Sequence, residues 1–263
     1  MALLLPAATL AGCAGTPSED EVAAARWKDF PHADCTIVVA TGRVPADRAA
    51  AALPAGFSPS DTAGFLGLSA APGQATVALF GLSCGASETG DERFGPVAAV
   101  HFLVGVRQPA GVPLGREATG FYDLGVAAPE SSFRDALSGL GFRVVNGTVQ
   151  ASTRELPAGR FGATLISEGP RGEGRAEGAG ETGTFTRAAL RLYSAGTHGL
   201  SFLSGNLTRG EGGLGTGTLQ FGDASPLSTA ATTRVASGPI LAMTGASWAD
   251  TRSFHDASWT PAG

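Results

Sequence analysis

The hydrophobic positions of this chain fall into short segments rich in β-branched and aromatic residues, and glycine, proline or polar residues separate these segments. Short apolar runs with such boundaries are typical of β-strands joined by turns. The pattern predicts strands at residues 35–44, 63–70, 76–84, 97–106, 119–126, 142–154, 160–168, 182–193, 198–204, 213–221 and 249–259. The chain is therefore expected to be mainly β.

Two segments depart from this pattern and predict short helices. Residues 45–53 begin with Pro45 and continue as an alanine-rich run, and both features favour a helix. Residues 129–140 also begin with a proline, and their apolar residues recur at helical spacing. These apolar residues are Phe133, Ala136, Leu137 and Leu140.

Glycine is frequent, with 39 of 263 residues, which favours tight turns over long helices. The glycine-rich residues 169–183 lack the spacing of a phosphate-binding loop, so they are predicted to form a hairpin connection. Many short strands with two helices predict a large antiparallel sheet that is closed or strongly bent into a barrel. Closure would remove the exposed edges of such a sheet.

The first thirteen residues form an apolar run that ends in Leu10-Ala11-Gly12-Cys13 and precedes a polar, acidic stretch. This run resembles the signal peptide of a bacterial lipoprotein, in which the cysteine thiol receives the lipid. The resemblance implies that Cys13 is the lipid attachment site and that the protein is held on the membrane, outside the cytoplasm. No basic residue precedes Arg26, whereas a secretory signal normally begins with positive charge. The alternative is a buried N-terminal helix, which Pro6 and the small residues around Gly12 fit poorly.

The predicted organisation follows from this segment. Residues 1–12 are the expected signal peptide, residues 13–30 a tether and lead-in, and residues 31–263 a single β-rich domain. Because Cys13 belongs to the signal, Cys35 and Cys84 remain as a pair in an exported protein, where a disulfide persists. The alternative is a pair of buried free thiols.

The net charge and the sequence motifs exclude several classes of partner, cofactor and catalytic site. A net charge of −5 gives no attraction to phosphate backbones, so no nucleic-acid partner is expected. The four histidines lie far apart in the sequence without a metal-binding spacing, so neither a metal nor another cofactor is expected. A serine nucleophile in a strand–turn–helix context is also missing from the pattern.

Several stretches carry a second resemblance. Residues 35–59 read as a strand followed by VPADRAAAALPAGFSP, residues 100–113 read VHFLVGVRQPAGVP, and residues 121–142 read as FYDLGV, a helix and LGF. Together they resemble exported proteins whose fold is similar to acetoacetate decarboxylase. The resemblance implies a cone-shaped β-barrel around an internal cavity, in which the decarboxylase uses a lysine to form a Schiff base.

The decarboxylase chemistry does not transfer to this sequence. The single lysine, Lys28, precedes the first predicted strand, and arginine cannot replace it because arginine stays protonated. A shared fold does not by itself assign a shared activity.

Three residues are candidate ligands of the cavity: His101, Arg187 and Arg191. His101 lies in an apolar strand, where a histidine with a purely structural hydrogen bond is the alternative. Alternation within residues 182–193 places both arginines on one face with Phe185 and Tyr193, so they are candidates for accepting an anion. The alternative is a solvated outer face. Their possible carboxylate partners are Glu117, Asp123, Glu155 and Glu168.

These observations support three functional hypotheses. The first is a lipid-anchored binding protein that holds a small, largely apolar ligand inside the barrel. The second is a lyase-like or isomerase-like enzyme that uses His101, a carboxylate and an arginine in the same cavity. The third is a structural lipoprotein of the cell envelope.

Overall fold

The computed structural model describes residues 27–60, 71–89, 92–107, 109, 119–185, 188–196, 199–207, 210–230, 234–248 and 252–259. Its strands are β1 (Trp27–Asp29), β2 (His32–Pro45), β3 (Gln74–Thr89), β4 (Glu92–Phe94), β5 (Val97–Arg107), β6 (Thr119–Ala128), β7 (Val144–Asn146), β8 (Thr148–Leu156), β9 (Arg160–Glu168), β10 (Gly174–Phe185), β11 (Ala188–Gly196), β12 (Gly199–Leu207), β13 (Gly210–Phe221), β14 (Arg234–Trp248) and β15 (Arg252–Asp256). The two helices are α1 (Ala46–Ala52) and α2 (Ser131–Gly139). The predicted mainly β fold with two short helices is confirmed.

All strands belong to one sheet, ordered β1-β15-β12-β11-β6-β5-β3-β2-β14-β13-β10-β9-β8, with β4 on β3 and β7 on β6. The prediction of a purely antiparallel sheet is wrong, because β6 pairs with β11 and with β7 in parallel. The sheet is strongly bent but not closed, since β1 and β8 lie at opposite ends of the strand order.

The bend creates an inner face, where one half of the sheet packs on the other. Strands β8, β9 and β10 lie across β2, β3 and β5. A side-chain carbon at Gly81 of β3 would overlap Leu165 of β9, and one at Gly174 of β10 would press on Leu79 and Phe102. These close contacts show that the middle of the bent sheet is filled with side chains.

The outer face of β2, β3, β5 and β6 is also apolar, and helix α2 covers it. Phe133 and Leu137 of α2 are buried in a cluster with Phe80 and Leu103 of the sheet. Phe30 stacks on Phe133 with ring centroids 6.0 Å apart. Helix α1 instead contributes the buried Ala49 to the inner cluster. The central strands are therefore buried on both sides.

Only residues 169–173 of the glycine-rich segment form the predicted hairpin connection, between the antiparallel strands β9 and β10, and the rest of the segment is a strand. Residues 174–183 belong to β10, which pairs along its length with β13. Glycine lies opposite glycine where Gly178 meets Gly217 and where Gly180 meets Gly215. A side-chain carbon at any of these positions would overlap backbone of the neighbouring strand. Glycine thus permits the close backbone approach that strong bending requires.

Other element boundaries also differ from prediction. Strand β14 lies in the middle of the sheet although the sequence predicted no strand there. Residues 142–154 form β7 and most of β8 rather than one strand, and residues 182–193 are divided between β10 and β11. The strand predicted at residues 63–70 lies outside the described residues.

No helix in the described ranges has the length and apolar character needed to cross a membrane. The proposed signal peptide and Cys13 lie outside the described residues, so the boundaries at residues 12 and 30 stay predictions.

Candidate functional site

The disulfide predicted between Cys35 and Cys84 is formed. The two residues are direct partners in the β2–β3 register, and both are buried. Because the bond closes a sequence separation of 49 residues, the chain-entropy model predicts a stabilisation of about 4 kcal/mol.

His101 is buried on the outer face of β5 and forms a pair with Asp123 of β6. The distance from His101 Nδ1 to Asp123 Oδ2 is 2.7 Å, and both side chains are almost inaccessible to solvent. The other carboxylate oxygen of Asp123 accepts a hydrogen bond from the backbone N–H of Gly125 at 3.1 Å. The carboxylate therefore fixes the orientation of the imidazole ring.

A β-bulge makes this pair possible. Phe102 is opposite Gly125 and Leu103 is opposite Asp123, so Leu124 is the extra residue in β6. The bulge changes the alternation of the strand, so the Leu124 side chain joins the inner cluster while the Asp123 carboxylate meets His101. The aromatic rings of Phe80 and Phe142 complete the surroundings of His101.

A second buried histidine lies near this pair. The ring of His32 makes edge contacts with Phe30 and Phe133 at centroid distances of 4.7 and 6.5 Å. Burial lowers the pKa of His32 to about 3, and the nearby His101 acts in the same direction. His32 is therefore neutral at physiological pH.

The two candidate arginines have different outcomes. Arg187 lies outside the described residues, so its role stays a prediction. Arg191 is half-buried on β11, and its charge acts on Tyr193, two residues further along the same strand. Phe185 lies in β10 and Arg191 lies in β11, so the residues of the predicted shared face are assigned to two strands.

Tyr193 is the centre of an aromatic cluster on the inner face. Its ring lies 5.0 Å from Phe202 and 6.0 Å from Phe57. Phe57 also contacts Tyr122, whose hydroxyl donates to the carbonyl of Ala195 at 2.9 Å. The Tyr193 hydroxyl is buried and has no hydrogen-bond partner among the described residues. Burial raises the pKa of Tyr193 to about 12, although the charge of Arg191 acts in the opposite direction.

A groove of about 640 Å³ opens at the other end of the inner face. Five strands form it, because the ends of β8, β10 and β14 meet the beginnings of β9 and β13. The lining residues are Thr153, Arg154, Glu155, Phe161, Thr182, Gly183, Glu211, Gly212, Ala242, Met243 and Thr244. A volume of this size is within the usual range for sites that bind small molecules.

The groove combines an apolar wall with a polar rim. Phe161 and Ala242 of the inner cluster are buried, whereas Glu155 and Glu211 are exposed. The sequence analysis considered Glu155 only as a partner for arginine and did not consider Glu211. The lining residues come from five strands and form no sequence motif. Residue spacing therefore could not predict this site.

The remaining candidates do not join the groove. Lys28 lies in β1 at the end of the sheet, where its backbone is opposite Ser253. Glu168 is exposed at the end of β9, and Glu117 lies outside the described residues. Within the described part of the chain, no group of three or more histidine, cysteine, aspartate or glutamate residues could hold a metal ion.

Comparison with solved structures identifies the fold. The enduracididine biosynthesis enzyme MppR with bound HEPES buffer has a TM-score of 0.53 and 14% sequence identity, covering 88% of this chain and 85% of that chain. An acetoacetate decarboxylase-like enzyme from Sphingomonas wittichii RW1 has a TM-score of 0.51 and 12% identity, covering 87% and 91%. The chain has an acetoacetate decarboxylase-like fold.

These identities are too low to transfer an activity, so the likeness concerns the fold alone. Comparison of the sequence with protein-family models gives no match. A search of curated proteins gives no match either.

Proposed function

We propose that this protein is a lipid-anchored, extracytoplasmic binding protein that holds a small ligand with a largely apolar body in the inner-face groove. The observation that supports it best is the groove itself, with its volume of about 640 Å³ and its apolar wall. Pockets of this size with apolar walls and a few polar groups are the usual sites for small ligands.

The arrangement of ionisable residues favours binding over catalysis. The decarboxylase mechanism needs a lysine inside the cavity, and the chain's single lysine lies in the terminal strand β1. The oriented pair of His101 and Asp123 is buried on the outer face, and neither residue lines the groove. A lyase-like enzyme is therefore the second candidate, and a structural envelope protein is the third.

Native mass spectrometry of the purified protein tests the binding function. The Cys13→Ala variant is used because it cannot receive the lipid, and a co-purified small molecule is the expected result. The Thr153→Trp variant should lose this molecule, because Thr153 lines the groove and an indole there would fill it. The matched control is Ser152→Trp, which changes the preceding residue of β8 and does not line the groove. Retention of the molecule by Thr153→Trp would contradict binding in the groove.

The anchor is tested separately. A bacterial host grown with radiolabelled palmitate should incorporate label into the wild-type protein and leave Cys13→Ala unlabelled. Equal labelling of both proteins, or labelling of neither, would contradict the lipid anchor while leaving the groove proposal intact.

A further inference from the structure

The groove carries two carboxylates that form no ion pair within the part of the chain that the structure describes. Glu155 and Glu211 both line it, both are exposed, and neither forms an ion pair with another residue in the described ranges. By contrast, the exposed Glu177 on the same half of the sheet is paired with Arg175 at 2.5 Å. Among the described residues, the rim of the groove therefore carries two unpaired negative charges.

The hydroxyl groups of the groove strengthen this bias toward hydrogen-bond acceptors. The Thr182 hydroxyl donates to the carbonyl of Gly159 at 2.6 Å, and the Thr244 hydroxyl donates to the carbonyl of Glu211 at 3.4 Å. A hydroxyl has a single proton to donate, so both oxygens face a ligand only as acceptors. A ligand that brings its own N–H donors fits such a lining better than one that brings acceptors.

One basic residue, Arg154, belongs to the lining, but its side chain lies against the next strand. The Arg154 Nε and Cγ atoms occupy the space above Gly162 of β9, where glycine leaves room for the stem. Two carboxylates against one guanidinium leave the lining with a net negative charge.

We infer that the ligand of the groove is an amphipathic cation, such as an alkylamine or an alkylguanidine. Its ammonium or guanidinium group is bound by Glu155 and Glu211, and its hydrocarbon part packs against Phe161 and Ala242. Charge-assisted hydrogen bonds to the carboxylates supply the selectivity, and contact of the hydrocarbon part with the apolar wall adds to the affinity. This inference rests on the proposed binding function and adds the chemical class of the ligand.

Three probes with the same chain length test it: decylamine, decanol and decanoate, titrated calorimetrically into the Cys13→Ala protein below their micelle concentrations. Decylamine should bind about tenfold more tightly than decanol, with decanoate weakest, as expected for one or two exposed charge-assisted contacts. The preference should decrease with added salt. Glu155→Gln/Glu211→Gln should bind decylamine and decanol equally, whereas Glu168→Gln/Glu181→Gln, which changes exposed carboxylates outside the groove, should keep the preference.

The outcomes separate this inference from the proposed function. Equal binding of all three probes, lost on Thr153→Trp, overturns the cation preference and leaves the groove as a binding site. A cation preference that survives Glu155→Gln/Glu211→Gln overturns the role of the two carboxylates. Failure of decylamine to bind overturns the inference, while the co-purified ligand of the native spectrum still decides the binding function. Thermal unfolding of each variant establishes that it is folded.

Discussion

The two halves of the bent sheet differ in how many of their faces are buried. In the half formed by β2, β3, β5 and β6, apolar clusters cover both faces, and every residue of β5 except Arg107 is buried. In the half formed by β8, β9, β10 and β13, only the inner face is packed, and every residue of β8 is exposed or half-buried. We call these the two-sided half and the one-sided half.

The difference assigns separate tasks to the two regions. The two-sided half contains the disulfide, the buried histidines and the cover provided by α2, so it has the properties of a stable scaffold. The one-sided half supplies glycine for bending and contributes β8, β9, β10 and β13 to the groove. Sites built on less densely packed elements accept sequence change more easily, which suits ligand recognition.

The largest expected effect comes from removing a buried side chain of α2, the helix that covers the two-sided half. Phe133→Ala should lower the free energy of unfolding by about 4 kcal/mol, because a fully buried aromatic ring is lost from the contact between α2 and the sheet. Leu214→Ala on the one-sided half is the control. Its side chain is 43% exposed, so the change should stay below about 0.5 kcal/mol. Urea unfolding measures both, and similar losses would show that the two halves are packed alike.

The second comparison concerns a buried and an exposed pair of polar side chains. Asp123→Ala should cost about 3 kcal/mol, because it leaves His101 Nδ1 and the N–H of Gly125 buried without their acceptor. Glu177→Ala removes the exposed partner of Arg175 on the one-sided half and should cost less than about 1 kcal/mol. Denaturant unfolding at neutral pH gives both values. A loss below about 1 kcal/mol for Asp123→Ala would contradict a structural role for the buried pair.

The sequence predicted the two-sided half better than the one-sided half, for a physical reason. Strands buried on both faces appear as continuous apolar runs, as in residues 35–44 and 97–106, and these predictions were confirmed. In β10 the inner-face positions are largely glycine, so the alternation that marks a strand is missing. Glycines that let two backbones approach closely add no hydrophobic residues to the sequence, so the hydrophobic pattern does not reveal such a strand.

Strand β14 was missed for a related reason. Its sequence contains Gly238-Pro239, which is normally a turn signal, and proline is rare inside a central strand. Here the register with β13 shifts between Gly217 and Leu219, directly beside Pro239. The carbonyl of Pro239 accepts a hydrogen bond from the Thr41 hydroxyl at 3.3 Å. The bulge thus accommodates a residue that local rules exclude.

The candidate site was less predictable than the fold. The disulfide was predicted from the cysteine count and the expected extracytoplasmic compartment, which left only two candidate cysteines. The contact between His101 and Asp123 depends on the bulge at Leu124, and no local sequence pattern predicts that bulge. The groove depends on the bend of the whole sheet, which brings together Glu155 and Glu211 from separate strands.

The third prediction uses acid to weaken the two-sided half. Because the pKa of His32 is lowered to about 3 in the folded protein, the unfolded chain binds a proton below pH 6.5 that the folded protein does not. Lowering the pH through this window should therefore lower the free energy of unfolding, by about 2 kcal/mol between pH 6.5 and pH 5. His32→Phe keeps a ring between Phe30 and Phe133 but cannot titrate. Urea unfolding at both pH values should give a smaller loss for this variant, and equal losses would exclude His32 as the cause.

The smallest effect tests whether the glycines of the one-sided half are required for bending. A side-chain carbon at Gly215 would overlap the carbonyl oxygen of Ala179 and the backbone of Gly180, so Gly215→Ala should cost about 1 to 2 kcal/mol. At Gly183, by contrast, nothing lies within 4 Å of such a carbon, and its φ is not in the left-handed region. Gly183→Ala should therefore be neutral or stabilise by up to about 1 kcal/mol, because alanine reduces the entropy of the unfolded chain.

Thermal unfolding distinguishes the two variants. If both lowered the melting temperature equally, close backbone approach would not explain the glycine content of β10 and β13. A loss confined to Gly215→Ala would show that the bend, and with it the groove, depends on glycine at particular positions.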